Sequence, residues 1–311
     1  MDEPLVSIIM NCYNGEEYLP YSIESVIIQN YKNWELIFWD NCSTDNSPNI
    51  IKSYSDIRIK YFKSENNTSL GIARNLAILN SKGEYIAFLD TDDIWLPDKL
   101  KIQIEIMLLE KGIGFIYTNY ISFWSNGEFV AIDKSKISYQ EDFSYLIKNY
   151  NVGMSTALVR KSIVDSNNII FDEKFSLVED YDYFLNITYL SKAYYCADLL
   201  VKYRMHANSL THKFRSGWAE ELYELHNKFL DSLDDKDLIN YSNELNWIKV
   251  RAINSEIMNY LHDNKKMVAF ISIVKNIHYS YKLFILILGV ILGYNRFIKI
   301  ANLLSPKNYR I

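Results

Sequence analysis

Short apolar stretches alternate with segments of helical spacing through the first third of the chain. The stretches are rich in β-branched and aromatic residues and end in turn-forming polar residues, which predicts strands. The segments between them repeat apolar residues every three or four positions, which predicts helices. The predicted strands cover residues 5–10, 34–39, 58–62, 84–89 and 113–117. The predicted helices cover residues 16–29, 71–80 and 97–111, and Pro48 fits the first turn of another.

The regular alternation of strand and helix favours an α/β fold, in which helices cover both faces of a mostly parallel sheet. Ligands of such a sheet bind beyond the carboxyl ends of its strands. Three polar clusters of this chain stand at those ends, at residues 11–15, 40–45 and 90–93. This coincidence predicts an active site at that edge of the sheet.

The later part of the chain changes from a mixed pattern to a helical one near residue 214. Strands are predicted at residues 155–160 and 199–205, and helices at residues 180–190, 220–233 and 243–261. We therefore expect a helical extension after the α/β part.

Composition narrows the class of protein. The chain has 311 residues with a formal net charge of −5, and 15% of the residues are aromatic. The aromatic content supplies a folded core, and the acidic balance argues against a nucleic-acid-binding protein. Three cysteines, Cys12, Cys42 and Cys196, are too scattered for a disulfide framework or a zinc site. Because the first residues are acidic, no signal peptide is expected and the predicted location is the cytoplasm.

The charge is unevenly distributed along the chain. Segment 264–311 carries eight basic residues and no acidic one, which leaves −13 on residues 1–263. It also contains 13 consecutive uncharged residues, 283–295, which as a helix would span about 20 Å. That is too short to cross a hydrocarbon core of about 30 Å. We expect this tail to bind peripherally at the anionic inner face of the cell membrane. The alternative is a buried helix that packs on the rest of the protein.

Asp90 and Asp92 form the sharpest chemical feature. They stand one residue apart directly after a predicted strand, where their carboxylates can converge on a hard divalent cation. Mn²⁺ or Mg²⁺ would keep positions for phosphate oxygens there. In the alternative interpretation Asp93 caps the next helix and the other two carboxylates are solvated. The apolar strand before the cluster favours the cation site.

Asp40 ends the second predicted strand. A carboxylate there can accept a hydrogen bond from a base N–H, and Asn11 or Tyr13 could contact the nucleoside from the neighbouring strand end. Taken alone, Asp40 is equally well explained as an Asx-turn residue. Neither a Gly-x-Gly-x-x-Gly nor a Walker A sequence occurs, which argues against dinucleotide and P-loop chemistry.

Two later clusters can also contribute chemistry. Glu179, Asp180 and Asp182 begin a predicted helix. Adjacent carboxylates in a partly buried cleft can acquire separated pKa values, so that one becomes a general base. Acidic residues also favour helix N-termini for electrostatic reasons alone. Arg204 or His206 could meet a diphosphate or a metal, although a surface histidine without a ligand is the commoner case.

Together these clusters resemble a known family. The motifs that carry the resemblance are VSIIMNCYN at 6–14, WDNCSTD at 39–45, ARN at 73–75, KGEYI at 82–86, LDTDD at 89–93 and PDKL at 97–100, followed by Glu179, Asp180 and His206. In this order and spacing they resemble the family 2 glycosyltransferases of the GT-A fold, over residues 4–212. The resemblance implies an α/β fold with a mostly parallel, Rossmann-like nucleotide-binding sheet.

The resemblance also implies a domain organisation. Residues 1–212 would form the GT-A catalytic domain, with a nucleotide-sugar half at about 1–120 and an acceptor half at about 121–212. A helical extension would follow at 213–263 and the basic, apolar tail at 264–311.

The resemblance assigns roles to individual residues. Asp40 matches the aspartate that recognises the base. Asp92 matches the principal metal ligand, and Asp90 matches the residue that contacts the ribose or the metal. Asp180 falls at the position of the general base, with Glu179 beside it. The other residues that the resemblance places at the donor are Asn11, Tyr13, Asn14, Arg74, Asn75 and Thr91, with His206 near the metal or diphosphate. Asn41 departs from the pattern, because many members have a second acidic residue there.

The implied activity is an inverting, metal-dependent transfer of a hexosyl or N-acetylhexosaminyl group from a nucleotide-diphosphate sugar, with a UDP-sugar favoured. The acceptor would be a hydroxyl of a glycan or of a lipid-linked precursor in surface polysaccharide or glycoconjugate synthesis. The cofactor would be Mn²⁺ or Mg²⁺. A non-catalytic sugar-nucleotide-binding or scaffold protein on the same fold is the alternative, against which the retained carboxylates argue. Sugar-phosphate nucleotidyltransferases need a Gly-rich, Arg-containing loop that residues 11–15 lack.

Overall fold

The computed structural model describes residues 3–124, 129–131, 139–206 and 217–304. The chain divides into two compact units. One comprises Met1–Leu146 and Tyr150–His206, and the other comprises Ile147–Asn149 and Ala207–Ile311. We call the first the sheet unit and the second the helical unit, which includes both the predicted extension and the predicted tail. The predicted domain boundary at residue 212 lies outside the described residues.

The sheet unit is built on one mixed sheet. Its strands are β1 (Val6–Cys12), β2 (Trp34–Asp40), β3 (Ile59–Lys63), β4 (Tyr85–Phe88), β5 (Ile94–Trp95), β6 (Ile113–Phe123), β7 (Phe129–Ala131), β8 (Tyr139–Glu141), β9 (Leu158–Arg160) and β10 (Lys192–Arg204). They follow the order β3-β2-β1-β4-β9-β6-β10-β5, while β7 pairs with β6 and β8 pairs with β10.

The first half of this sheet is parallel, as the sequence predicted. Strands β1, β2, β3 and β4 run in the same direction, and β10 is parallel to β6. The short strand β9 runs antiparallel between β4 and β6, and β5 runs antiparallel beside β10. In the register of β1 with β2, Cys12 faces Asp40. The polar residues that follow these two strands therefore leave the sheet side by side.

The helices that alternate with these strands along the chain are α1 (Leu19–Ile27), α2 (Ser47–Lys52), α3 (Leu70–Leu79), α4 (Lys99–Leu109), α5 (Phe143–Asn149), α6 (Lys161–Asn167) and α7 (Glu179–Leu190). Helix α5 begins in the sheet unit, and its last three residues belong to the helical unit. Helices α1, α2, α3, α4 and α7 pack against strands of the sheet. Every residue of β2 is buried, which is the burial expected of a strand covered on both faces. Helix α1 buries Leu19, Ile23 and Val26 in the same core cluster as Ile8 and Phe38. This core supports the carboxyl ends of the central strands.

Some element boundaries differ from the sequence prediction. The strand predicted at residues 155–160 begins only at Leu158, as β9, because a 3-10 turn, Met154–Thr156, precedes it and the Ala157 N–H bonds the Met154 carbonyl. Helix α4 begins at Lys99 because residues 94–95 pair with β10 as β5. Strand β10 begins well before residue 199, and its register shifts between Cys196 and Leu199 obscure the apolar alternation there.

The helical unit contains α8 (Trp218–Ser232), α9 (Asp235–His262), α10 (Lys266–Asn276), a 3-10 turn (Tyr281–Leu286), α11 (Ile287–Leu292) and α12 (Tyr294–Leu304). The Asp234 carboxylate caps α9 by accepting from the Asp237 N–H at 2.8 Å. A small core joins α9, α10 and the 3-10 turn. Its buried members are Ile253, Ile257, Leu261, Ala269, Ile273 and Leu283.

The apolar run 283–295 is divided between core and surface. Leu283 is completely buried in the core of the helical unit, and Leu286, Ile287 and Val290 pack against that core. Among the residues that the structure describes, none of the helices is both long enough and apolar enough to span a bilayer.

Candidate active site

The polar segments after β1, β2 and β4 come together at one edge of the sheet. The Asn14 N–H donates to Ser43 Oγ at 3.1 Å, and Asn14 Oδ1 accepts from the Thr44 N–H at 2.8 Å. A Cβ at Gly15 would lie 3.0 Å from Thr91 Oγ1, so Gly15 allows the third segment to approach closely. The three polar clusters therefore meet at one edge of the sheet, as the alternating pattern predicted.

Asp40 is completely buried at the end of β2. Its Oδ1 accepts from the Ser43 N–H at 2.8 Å, and its Oδ2 accepts from the Tyr61 hydroxyl at 2.7 Å. Burial and then this hydrogen bond raise the pKa of Tyr61. The Asx turn considered as an alternative is therefore present, and each carboxylate oxygen of Asp40 already has a partner. A direct contact between Asp40 and a base stays a prediction.

Three residues at or just after the end of β1, Asn11, Tyr13 and Asn14, are assigned to the donor and differ in accessibility. Tyr13 is 55% exposed, whereas the Nδ2 of Asn11 is buried and has no hydrogen-bond partner among the described residues. Asn14 adopts a left-handed conformation, with φ of 55°, which asparagine tolerates well. Its bonds to Ser43 and Thr44 make it a turn residue that joins the first two polar segments. Asn11 keeps an unused donor at the strand end.

Asp92 and His206 are in direct contact. Asp92 Oδ2 lies 2.9 Å from His206 Nε2, and both side chains are partly exposed. The ring of His206 packs 5.3 Å from the ring of Tyr18. The structure thus brings together two residues that are 114 positions apart in the sequence.

These side chains fit a divalent cation as a partial coordination set. Among the described residues, no group of three or more His, Cys, Asp or Glu side chains is placed to hold a metal ion. Mg²⁺ and Mn²⁺ accept carboxylate oxygens, and Mg²⁺ commonly keeps several positions for water and substrate phosphates. Asp92 and His206 can therefore supply two ligands of a cation, whose remaining positions would be open to water and phosphate oxygens.

Asp93 does not cap a helix, so the alternative interpretation of the acidic cluster was wrong for this residue. Helix α4 begins at Lys99, and Asp93 is almost completely buried. Its Oδ1 accepts from the Arg204 N–H at 3.0 Å, which ties the end of β10 to residues 90–93, which we call the acidic loop. Burial, followed by the charges of Asp92 and Asp90, raises the pKa of Asp93 well above its ordinary value. Its position before the apolar Ile94 and Trp95 was the only sequence signal of this burial.

Ser155 and Ser22 hold the acidic loop from two other elements, and the sequence did not indicate either residue. Ser155 Oγ accepts from the Asp90 N–H at 3.1 Å. Ser22 Oγ lies 2.8 Å from the carbonyl oxygen of Thr91 and 2.7 Å from that of Asp93, and its single proton is shared between them. Thr91 therefore lies in a loop whose backbone is fixed on both sides.

Arg74 is buried between two carboxylates. Its Nη1 donates to Glu179 Oε1 at 2.8 Å, and its Nη2 lies 3.5 Å from Asp90 Oδ1. The side chain of Arg74 is only 5% exposed. Arg74 therefore connects the acidic loop to the start of α7, rather than presenting its guanidinium to solvent.

The start of α7 places Glu179 and Asp180 at the same site. Burial is the main cause that raises the pKa of Glu179 to about 7, against the opposing charge of Arg74. Burial likewise raises the pKa of Asp180. Burial and the nearby charge of Asp180 raise the pKa of Tyr150. Asp182, in contrast, is completely buried one turn further on and accepts from Asn186 Nδ2.

Asn75 has structural partners for both ends of its amide. Its Nδ2 donates to the Phe171 carbonyl at 2.8 Å, and its Oδ1 accepts from the Phe171 N–H at 2.9 Å. These bonds fix the segment before α7, so Asn75 positions that segment. Its predicted contact with the donor remains a prediction.

Arg204 is held against aromatic rings beside the acidic loop. Its Nε donates to the Asp92 carbonyl at 2.8 Å. Its guanidinium lies 4.3 Å from the ring centroid of Tyr18 and 4.5 Å from that of Phe123. The stacked guanidinium places a fixed positive charge near the Asp92–His206 pair.

Comparisons with known proteins identify the family to which this sheet and this site belong. A sequence model of the family described as Glycosyl transferase family 2 matches residues 7–166. The chain belongs to glycosyltransferase family 2.

Two curated relatives share a specific activity. The chain is 38% identical over 221 residues to UDP-Glc:alpha-D-GlcNAc-diphosphoundecaprenol beta-1,3-glucosyltransferase WfgD of Escherichia coli, covering 69% of this chain and 83% of that protein. It is 34% identical over 251 residues to WfaP of Escherichia coli, which has the same description, covering 80% and 88%. It is also 37% identical to the putative teichuronic acid biosynthesis glycosyltransferase TuaG of Bacillus subtilis, covering 50% and 62%.

Solved structures confirm the GT-A fold. The chain aligns with S. aureus TarS 1–349 in complex with UDP-GlcNAc with a TM-score of 0.65, at 18% identity, covering 80% of this chain and 72% of that one. It aligns with the mannosyltransferase PcManGT from Pyrobaculum calidifontis, in complex with GDP-Man and Mn²⁺, with a TM-score of 0.58, at 14% identity, covering 82% and 74%. At these identities the likeness concerns the fold alone.

Proposed function

We propose that this protein is an inverting glycosyltransferase that uses Asp180 as its general base. The observation that carries the proposal is the buried connection from Glu179 through Arg74 to Asp90. This connection holds the start of α7, and with it Asp180, at a fixed position relative to the acidic loop. Such preorganisation is what a displacement between a bound donor and a bound acceptor requires.

The donor side is proposed to lie at the acidic loop. Asp92 and His206 would hold Mn²⁺ or Mg²⁺, which when bound would neutralise the diphosphate and favour its departure. Arg204 can add a positive charge from the end of β10, because its guanidinium is fixed by Tyr18 and Phe123. Asn11, Tyr13, Asp40 and Thr91 are proposed to surround the nucleoside and sugar, as the resemblance implies. Asn14, Arg74 and Asn75 are proposed to position that part of the site.

The proposed reaction is a single displacement. Asp180 accepts the proton of an acceptor hydroxyl while the hydroxyl oxygen forms a bond to the anomeric carbon of the donor. The bond from that carbon to the diphosphate oxygen breaks, and its electron pair leaves with the nucleoside diphosphate. A raised pKa suits this role, because a base is most effective when its pKa lies near the working pH. Burial raises the pKa of Asp180 in this direction.

The relatives suggest which substrates to test first. WfgD and WfaP are described as transferring glucose from UDP-Glc to alpha-D-GlcNAc-diphosphoundecaprenol in beta-1,3 linkage. Glucose is α-linked in UDP-glucose, so a β-linked product requires inversion. We therefore propose a UDP-sugar donor, with UDP-glucose first and UDP-N-acetylhexosamine second, and an acceptor sugar on a lipid diphosphate.

The lipid-linked acceptor fits the proposed location at the inner face of the cell membrane. The basic tail at 264–311 supplies positive charge for contact with anionic headgroups. Peripheral binding would place the enzyme where a polyprenyl diphosphate is accessible.

A transfer assay tests the proposed function. Purified protein is incubated with radiolabelled UDP-glucose or UDP-N-acetylglucosamine, Mn²⁺ and a short-chain lipid-diphosphate-linked GlcNAc, and the product is separated by extraction. The wild type is expected to transfer label, and Asp180→Asn is expected to lose a factor of about 10²–10⁴ in kcat with donor binding retained. Glu105→Gln, on the exposed side of α4, is the matched control. If the wild type binds the donor but neither transfers its sugar nor hydrolyses it, the protein is a sugar-nucleotide-binding protein instead.

A further inference from the structure

Helix α10 of the helical unit buries very little of its apolar surface. Only Ala269 and Ile273, four residues apart, lie in the core. The large apolar side chains on the rest of the helix are exposed, with Met267 at 70%, Val274 at 54% and Phe270 at 41%. A helix in contact with water on its outer side normally carries polar residues there. The outer side of α10 has the composition of a second buried face.

This exposure is concentrated in one part of the chain. Of the 21 large apolar residues that are exposed in the described part of the structure, ten lie between residues 267 and 300. They are Met267, Val268, Phe270, Ile271, Val274, Ile277, Ile285, Leu288, Ile291 and Ile300. At 3.6 residues per turn, Met267, Val268, Phe270, Ile271 and Val274 share the side of α10 opposite the buried Ala269 and Ile273, and we call these five residues the apolar face. Single exposed apolar residues are ordinary, but five large apolar side chains on one side of a helix mark an interaction surface.

Two lysines lie on α10 with the apolar face, and further positive charge follows later in the same segment. Lys266 begins α10, and Lys275 lies in its last turn. Arg296 and Lys299 are exposed on α12, beside the exposed Ile300. Because segment 264–311 contains no Asp or Glu, no carboxylate of this segment offsets these charges. Apolar side chains accompanied by lysine and arginine match an anionic lipid surface.

The dimensions fit attachment to a bilayer surface. Helix α10 has 11 residues, which gives a length of about 16 Å. That is about half the hydrocarbon thickness, so the helix can lie in the interface but does not cross it. The run 283–295 contributes less than the sequence suggested, because Leu283 is committed to the core of the helical unit.

We propose that the apolar face of α10 inserts into the headgroup region of an anionic membrane while Lys266 and Lys275 contact the lipid phosphates. This inference deepens the proposed function and rests on the membrane location given there, not on the catalytic roles. It identifies α10, rather than residues 283–295, as the main inserting element.

Vesicle co-sedimentation of the full chain tests this assignment. The vesicles are phosphatidylcholine alone or phosphatidylcholine mixed with phosphatidylglycerol. The wild type is expected to bind only the mixed vesicles appreciably and to be released by high salt, since screening weakens the headgroup contacts. The double variant Phe270→Gln/Val274→Gln is expected to bind them at least about tenfold more weakly. Lys266→Gln/Lys275→Gln, which leaves the apolar side chains intact, is expected to weaken binding in the same direction.

The matched control is Leu79→Gln/Leu109→Gln, which removes two exposed leucines of the sheet unit. It is expected to bind vesicles like the wild type. Unchanged binding of the Phe270→Gln/Val274→Gln variant would overturn the proposal, and so would a wild type that ignores the mixed vesicles. If light scattering shows a dimer that this variant dissociates, with no vesicle binding, the face joins two copies of the chain and the proposal is wrong.

A transfer assay with a water-soluble acceptor separates this proposal from the proposed function. The α10 variants are expected to match the wild type in that assay, because none of the changed residues lies at the candidate active site. If no protein transfers sugar while vesicle binding follows the expected order, the proposed function fails and the membrane surface stands. If transfer is normal and vesicle binding is absent, the proposed transfer activity stands and the membrane surface on α10 is wrong.

Discussion

Arg74 donates to Glu179 at 2.8 Å across 105 positions of sequence, and both side chains are almost completely buried. The same guanidinium lies 3.5 Å from Asp90. One buried cation therefore joins the acidic loop after β4 to the first residue of α7. A buried cation with two carboxylate neighbours has few alternative arrangements, because any movement leaves a charge without a partner.

The Arg74–Glu179 pair is expected to show strong energetic coupling. Arg74→Met leaves a buried carboxylate without its cation, and Glu179→Gln leaves a buried guanidinium facing a neutral amide. In a double-mutant cycle measured by urea unfolding, we expect a coupling energy of about 1–3 kcal/mol. The exposed pair Lys161 and Asp165 is the matched control, with a coupling of about 0.5 kcal/mol or less. Additive effects of Arg74→Met and Glu179→Gln would show that the buried contact does not stabilise the fold.

The pKa of Glu179 predicts a pH dependence of stability. Its pKa in the folded state is about 7, against an ordinary value of 4.5, so the folded state binds the additional proton between these values. The resulting stabilisation is full below pH 4.5 and is lost as the pH rises through 7. We compare the free energy of unfolding of the wild type with that of Glu179→Gln. The difference should favour the wild type by about 1–3 kcal/mol more at pH 5 than at pH 8. Parallel pH profiles of the two proteins in chemical unfolding would contradict this assignment.

The contact between Asp92 and His206 predicts where a cation binds. Asp92→Asn and His206→Gln each remove one potential ligand, and we expect Mn²⁺ affinity in the presence of UDP to fall at least about tenfold. Isothermal titration calorimetry measures this affinity directly. Glu105→Gln serves as the control because its side chain is on the exposed side of α4. Unchanged Mn²⁺ affinity in both site variants would place the cation elsewhere.

Lys99 provides a prediction away from the site. It is completely buried, with its Nζ donating to Gln103 Oε1 at 2.8 Å, and burial lowers its pKa well below the ordinary value. The unfolded chain therefore binds a proton that the folded chain lacks, from the lowered pKa up to about 10.4. Stability of the wild type should rise with pH in this window, whereas Lys99→Met should lack that rise. Near pH 7 we expect the free energy of unfolding of the variant to equal or exceed that of the wild type. By pH 9 we expect the wild type to have gained stability relative to the variant. Unfolding followed by circular dichroism measures both.

The sequence predicted the parts of this protein that depend on local pattern. The parallel core of the sheet follows from alternating strands and helices. The meeting of residues 11–15, 40–45 and 90–93 follows because parallel strands end at the same edge. These features need only neighbouring residues and general rules of α/β topology.

The remaining features depend on partners that are distant in the sequence. The Asn75 amide makes hydrogen bonds to both the carbonyl and the N–H of Phe171. Asp93 is buried and accepts a hydrogen bond from the Arg204 N–H at the end of β10. No local pattern specifies such a pairing, since asparagine and aspartate are equally common in exposed turns. The exposure of α10 could not be predicted from the sequence either, because its apolar residues resemble those of a helix buried in a core.

The central claim is a single displacement at the anomeric carbon with Asp180 as the base. The most direct measurement is proton NMR of the product that wild-type protein forms from UDP-glucose, in which the coupling of the anomeric proton reports its configuration. We expect a β-linked product, with the configuration of the donor inverted. An α-linked product would mean that the configuration is retained, and it would contradict the single displacement and the role given to Asp180.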